Sequence, residues 1–132
     1  MRYTIKEASE KTQLSAYVLR YYEKEGILPS VHRSKGGIRY YTDEDMETLG
    51  LICCLKKTGM QLNEIKAFVQ LSSQGKETLR ERCLILSQQK EKVKRQIEEL
   101  QHSYEKVSHK LDHFTKLLRE YEGTADISLK QQ

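Results

Sequence analysis

The stretch TIKEASEKTQLSAYVLRYYEKEG, residues 4–26, decides the fold. Thr4-Ile5-Lys6-Glu7 has the spacing of a capping box, in which the Thr hydroxyl and the Glu carboxylate satisfy the first free backbone N–H groups of a helix. A helix is therefore expected from about Ile5 to Lys11. Ser15 is the N-cap expected for a second helix, which Gly26 ends as a left-handed residue just past its last turn. Two short helices across a tight joint predict a helix-turn-helix. In the second helix Val18, Leu19 and Tyr22 share the face that packs inward, leaving Tyr17, Arg20, Tyr21 and Lys24 on the outer face.

Beyond this stretch, Val31-His32-Arg33 and Ile38-Arg39-Tyr40-Tyr41 are two β-prone runs around Ser34-Lys35-Gly36-Gly37. Following Pro29, they predict a basic hairpin, or wing. Thr42-Asp43-Glu44-Asp45 opens a further helix that stops at Gly59, and another is expected over 61–70. From Lys76 to Glu122 there is no Pro or Gly, and the apolar spacing becomes heptad. The d positions are Leu79, Leu86, Val93, Leu100, Val107, Phe114 and Tyr121, and the a positions are Cys83, Lys90, Ile97, Tyr104, Leu111 and Leu118. Only Lys90 departs from an apolar, aromatic or Cys seam, which predicts a coiled coil. A seam needs a partner surface. With one such helix per chain, the simplest partner is a second copy, so a homodimer is expected. The organisation read from the sequence is a winged helix-turn-helix domain over 1–72, a hinge over 73–75, a dimerisation helix over 76–122 and a frayed tail over 123–132.

Charge places the interaction surface. Arg2, Lys6, Lys11, Arg20, Lys24, Arg33, Lys35 and Arg39 face only Glu7, Glu10, Glu23 and Glu25 in residues 1–42, whereas the rest of the chain is balanced. The net charge of +4 thus resides in the N-terminal third, where a polyanion is attracted. Residues 1–11 show no apolar signal segment, and no run of ~20 apolar residues is present to span a bilayer. A cytoplasmic protein without membrane attachment is expected. Three cysteines, two adjacent and one distant, form no disulfide framework, in keeping with a reducing compartment.

The ordered set Tyr3-Thr4-Ile5-Lys6-Glu7-Ala8, Leu19-Arg20-Tyr21-Tyr22-Glu23, Gly37-Ile38-Arg39-Tyr40-Tyr41-Thr42-Asp43-Glu44-Asp45 and Gly59-Met60-Gln61-Leu62-Asn63-Glu64-Ile65 resembles the MerR family of bacterial regulators over about residues 1–70. The resemblance implies an all-α fold with a small β wing, whose long helices pair as an antiparallel coiled coil. It also implies that the second helix enters the major groove of double-stranded promoter DNA and that the wing touches the flanking backbone. Family members typically distort promoters so that RNA polymerase can use them. The expected DNA-binding residues are Tyr17, Arg20, Tyr21, Lys24, Lys35, Arg39 and Tyr40, cations and hydroxyls suited to phosphates and base edges. The competing reading makes one tyrosine of each adjacent pair, 21–22 and 40–41, a core residue.

Drug-binding members of the family carry a large C-terminal domain, and only ~10 residues follow the long helix here. Metal-sensing members carry paired cysteines in a loop after that helix, and none occurs here, so no metal and no cofactor are expected. Cys83 falls at a seam position, as a small hydrophobe would. His102, His109 and His113 fall on the outer face of the long helix, and His32 is expected to be exposed. Cys53 and Cys54 are the candidate sensing thiols. Relative to the stripe Met46, Leu49, Ile52 and Leu55, Cys53 lies about 70° and Cys54 about 170° away, which points Cys54 out of its own core. Cys54 shares a minor stripe with Leu51 and Thr58 that is expected to face the partner's long helix. Its position resembles the single cysteine of the aldehyde- and electrophile-responsive branch, from which the doubled cysteine departs. A regulator switched by an electrophile, an aldehyde or thiol oxidation is the leading reading. A non-covalent ligand, a metal and, from another class, a coiled-coil scaffold are the alternatives. No nucleophile–base pair, phosphate-binding Gly loop or metal-ligand cluster points to an enzyme or to catalytic residues.

Overall fold

A computed structural model describes residues 1–28 and 32–123 of the chain. Pro29 and Val31 of the expected wing, and positions 124–132 of the expected tail, lie outside the described residues. The element order is β1 (Arg2–Tyr3), α1 (Ile5–Thr12), α2 (Ala16–Lys24), β2 (His32–Arg33), β3 (Arg39–Thr42), α3 (Asp43–Lys57), α4 (Leu62–Ser72), a 3₁₀ turn (Gly75–Thr78) and α5 (Leu79–Tyr121). The fold is mostly helical with one small sheet, as the sequence led us to expect.

Caps explain where the helices start. Thr4 Oγ1 accepts from the Glu7 N–H at 3.1 Å while Glu7 Oε1 accepts from the Thr4 N–H at 2.9 Å. Thr42 and Asp45 repeat this arrangement at α3, and Ser15 Oγ accepts from the Val18 N–H at 3.1 Å at α2. Hydrogen bonding to the Thr4 backbone N–H holds the Glu7 carboxyl below its ordinary range. Each cap satisfies a backbone donor that the helix itself leaves without a partner. The joint between α1 and α2 has no glycine: Gln13 takes the left-handed conformation at φ 62°, and its N–H donates to the Ser9 carbonyl.

The chain divides into two compact units. In the first, Met1–Glu91, residues from α1, α2, the segment after α2, β3, α3 and α4 close one core: Ala8, Leu19, Tyr22, Ile27, Leu28, Tyr41, Leu49, Ile52, Leu55, Ile65, Phe68 and Val69 are all buried. The expected stripe on α3 holds, with Leu49, Ile52 and Leu55 buried and Met46 half-buried. Strands run in the order β1-β3-β2, antiparallel, pairing Tyr3 with Tyr41 and His32 with Tyr40. The wing therefore has a third strand that the sequence pattern did not reveal, because two residues are too few to show alternation.

After α4 the chain is tied down. Thr78, itself buried, donates its hydroxyl to the Leu71 carbonyl at 2.6 Å and accepts from Arg82 Nε at 3.0 Å, while Arg82 Nη2 reaches the Gly75 carbonyl. Regular α-helix begins at Leu79 and not at Lys76, since Gly75–Thr78 winds more tightly as 3₁₀. The first turns of α5 serve the core of this unit. Ile85 packs against it, and Gln89 Nε2 donates to Thr58 Oγ1 at 2.7 Å.

The second unit begins at Lys92 and is built on the rest of α5. Ile97, Leu100, Tyr104, Val107, Leu111 and Phe114, all positions of the expected seam, are exposed.

Candidate nucleic-acid interface

Helix α2 has two chemically distinct faces. Leu19 and Tyr22 are fully buried and Val18 half-buried, while Tyr17 is 77% exposed and Arg20, Tyr21 and Lys24 are exposed beside it. Helical spacing at i, i+3, i+4 and i+7 puts these four side chains on one strip. Of the paired tyrosines, Tyr22 and Tyr41 are the core members, and their hydroxyls are buried without a hydrogen-bond partner among the described residues. Burial first, then the nearby Glu23 carboxylate, pushes the Tyr41 hydroxyl up to about 12.

In the wing, the turn over 34–37 is closed by the Ser34 N–H on the Ile38 carbonyl at 2.8 Å, and Gly37 supplies the positive φ of 79° that the turn requires. Lys35 and Ile38 project from it, exposed. Arg33 is turned back, with Nη1 on the Gly37 carbonyl at 3.0 Å. Alternation along β3 separates the other candidates. Tyr40 lies on one face, stacked on His32 with ring centroids 5.3 Å apart and with the Arg2 guanidinium 4.1 Å from its ring centre. Arg39 and Tyr41 lie on the other face, toward α2. There Arg39 Nε donates to Glu23 Oε1 at 2.5 Å, and that hydrogen bond raises the Arg39 pKa. The structure thus brings Tyr17, Arg20, Tyr21 and Lys24 together, leaves Lys35 exposed at the wing tip, and engages Arg39 and Tyr40 within the protein.

His32 is half-buried and not exposed as expected. Its Nε2 lies 3.2 Å from Oδ2 of the buried Asp45, the same oxygen that caps α3. Glu23, Asp45 and Arg2 were missed because their partners are distant in sequence, and periodicity reports only local neighbours.

Among the thiols, Cys54 is exposed and Cys53 half-buried. Burial pushes the Cys53 thiol up, against the weaker opposing pull of Lys56. Cys83 is exposed on α5. The stripe of Leu51, Cys54 and Thr58 was expected to face the partner's long helix. Within the chain, Thr58 of this stripe meets Gln89, because α5 starts against the end of α3, while Leu51 and Cys54 are exposed. His102, His109 and His113 are exposed, and among the described residues no three His, Cys, Asp or Glu side chains converge to hold a metal ion. No described helix is long and apolar enough to cross a membrane.

The chain is similar to known proteins in sequence and in fold. The family described as MerR HTH family regulatory protein matches residues 3–71, and the family described as MerR, DNA binding, matches residues 46–109. An uncharacterised HTH-type transcriptional regulator from Haemophilus influenzae is 43% identical over 88% of this chain and 86% of its own length. The HTH-type transcriptional regulator YyaN from Bacillus subtilis is 35% identical over 89% and 94%. Among solved structures, HiNmlR, a MerR family regulator lacking the sensor domain and bound to promoter DNA, superposes with a TM-score of 0.81 at 43% identity, covering 88% of this chain and 92% of that one. The chain belongs to the MerR family of helix-turn-helix transcriptional regulators.

Proposed function

We propose that this regulator acts in the cytoplasm by binding promoter DNA as a homodimer, with α2 in the major groove and the wing tip on the flanking backbone. The observation that carries the reading is the exposed strip of Tyr17, Arg20, Tyr21 and Lys24 on a helix whose opposite face is sealed into the core. Two cations and two hydroxyls on one strip are the donors that phosphates and base edges accept. The promoter-bound state of HiNmlR supports it by likeness. In this reading the exposed seam of α5 pairs antiparallel with that of a second copy, and the dimer distorts the promoter for RNA polymerase.

Fluorescence anisotropy with DNA from the gene's own promoter tests the reading. Arg20→Ala should weaken binding by roughly 1–3 kcal/mol if the side chain reads a base. Unchanged affinity in Arg20→Ala and Lys24→Ala together would remove this face from the interface.

For the signal, we propose that an aldehyde or other electrophile modifies Cys54. The exposed Sγ would add to an aldehyde carbonyl carbon while the thiol proton passes to the carbonyl oxygen, giving a hemithioacetal with no leaving group. Burial disfavours the thiolate at Cys53, which supports Cys54 as the reacting thiol. The added bulk would sit beside Leu51 and Thr58, and Thr58 bonds to α5, so modification there would strain the contact between α3 and the first turns of α5. A promoter reporter carrying Cys54→Ser, Cys53→Ser or Cys83→Ser, challenged with formaldehyde, methylglyoxal and diamide, tests this. A Cys54→Ser regulator that responds like wild type to all three would move the signal to a non-covalent ligand.

A further inference from the structure

We infer that Glu23 and Arg39 form an internal strut that fixes the wing against α2, so that Arg39 acts on DNA binding through Glu23 and not as a phosphate contact. The inference rests on the reading that α2 and the wing together engage DNA. Three observations carry it. The pair joins the two elements directly across sixteen residues of sequence, Nε to Oε1 at 2.5 Å. Both side chains are withdrawn from solvent, Glu23 at 8% and Arg39 at 19% exposure, whereas Arg20, Lys24 and Lys35 are exposed. Alternation along β3 places Arg39 on the same face as the buried Tyr41, so the guanidinium stem leaves the strand toward the core and not toward the wing tip.

A carboxylate this far from water requires its cation. Removing either partner leaves the other charge buried and uncompensated, so the structure relaxes by letting the wing move away from α2. A lysine cannot replace the bond from Nε, because its single ammonium lies at the end of a longer flexible stem. Arg39 is on this account a positioning residue, and its neutralised charge contributes little to counterion release.

The salt dependence of promoter binding separates the two roles. Affinity is measured across a range of salt concentrations for wild type, Glu23→Gln, Arg39→Lys, Arg39→Gln and the double variant Glu23→Gln/Arg39→Gln. Amide hydrogen exchange over residues 32–42 is followed in each free protein. The strut predicts that Glu23→Gln and Arg39→Gln each weaken binding on the order of tenfold, that the double variant is no weaker than the worse single one, and that the salt slope stays at the wild-type value. It predicts faster exchange of the β2 and β3 amides in both single variants, and in Arg39→Lys, which keeps the charge. A salt slope lowered by about one phosphate in Arg39→Gln, with Glu23→Gln binding like wild type, would overturn the strut and make Arg39 a direct contact. Wing protection unchanged in all variants would overturn it independently of DNA. Failure of wild type to prefer its promoter over random DNA would overturn the DNA reading alone, and the exchange data would still decide the strut.

Discussion

The first unit and the second spend the same kind of residue in opposite ways. Up to Glu91 the large apolar side chains converge from five elements and are sealed, as at Leu19, Leu49 and Ile65. Beyond Lys92 they lie along one helix and remain in water, as at Leu100, Val107 and Leu111. A helix can lay its apolar residues on a stripe, but only a second surface can remove that stripe from water. One unit carries its second surface within the chain, and the other presents a stripe that a further copy of α5 would complete.

The most damaging test of this contrast replaces Leu100 and Leu111 with Lys. Sedimentation should show complete loss of dimer, while the first unit unfolds as in wild type. A double variant that remains dimeric would end the proposal that the seam is the contact. Next, Leu49→Ala should destabilise the folded unit by about 2–5 kcal/mol, the range for a leucine removed from a closed core. In a monomeric background Leu100→Ala should change stability by less than about 0.5 kcal/mol, as at other exposed positions. Urea titrations of both variants sharpen the comparison directly.

A smaller effect depends on pH. Because the Tyr41 hydroxyl is pushed up to about 12, its neutral form stabilises the fold fully below the unfolded value, near 10. That contribution is lost as pH rises from about 10 to 12, by roughly 2–3 kcal/mol in total. Tyr41→Phe has no proton to lose and should show a flatter alkaline limb in chemical denaturation; parallel limbs would contradict the assignment. The smallest effect expected is at the start of α3, where Thr42→Ala removes half of a capping box. It should cost about 1 kcal/mol in thermal unfolding.

What could be read from the chain was what lies within one or two helical turns. Thr4 with Glu7, Thr42 with Asp45, the inward Leu19 and Tyr22, and the heptad spacing of α5 are all patterns whose members sit three to seven residues apart. The links that shape the candidate interface span greater distances. Glu23 meets Arg39, His32 meets Asp45, and Thr58 meets Gln89. Each is a polar pairing between elements, and neither periodicity nor composition encodes which acidic or amide side chain a given partner will reach. Arg39 was counted among the expected DNA-binding residues on its charge alone. Its charge was visible, but the carboxylate it turns toward was not. The left-handed joint at Gln13 escaped notice for a different reason, since glutamine gives no local sign of that conformation.

That joint also bears on how freely the sequence can drift. At φ 62° Gln13 holds a conformation that costs an ordinary residue roughly 1–2 kcal/mol, and its side chain lies in solvent. The fold's demand at this position therefore falls on the backbone conformation. Glycine would relieve the strain but lose a similar amount through the greater freedom of its unfolded chain, and asparagine tolerates the conformation with its own short side chain. Unbranched replacements of any charge should pass with little change, whereas Val, Ile or Thr would crowd the turn between α1 and α2 and tilt the strip of Tyr17, Arg20, Tyr21 and Lys24 away from its present direction. As far as the fold is concerned, position 13 is open in chemistry but closed to branched side chains.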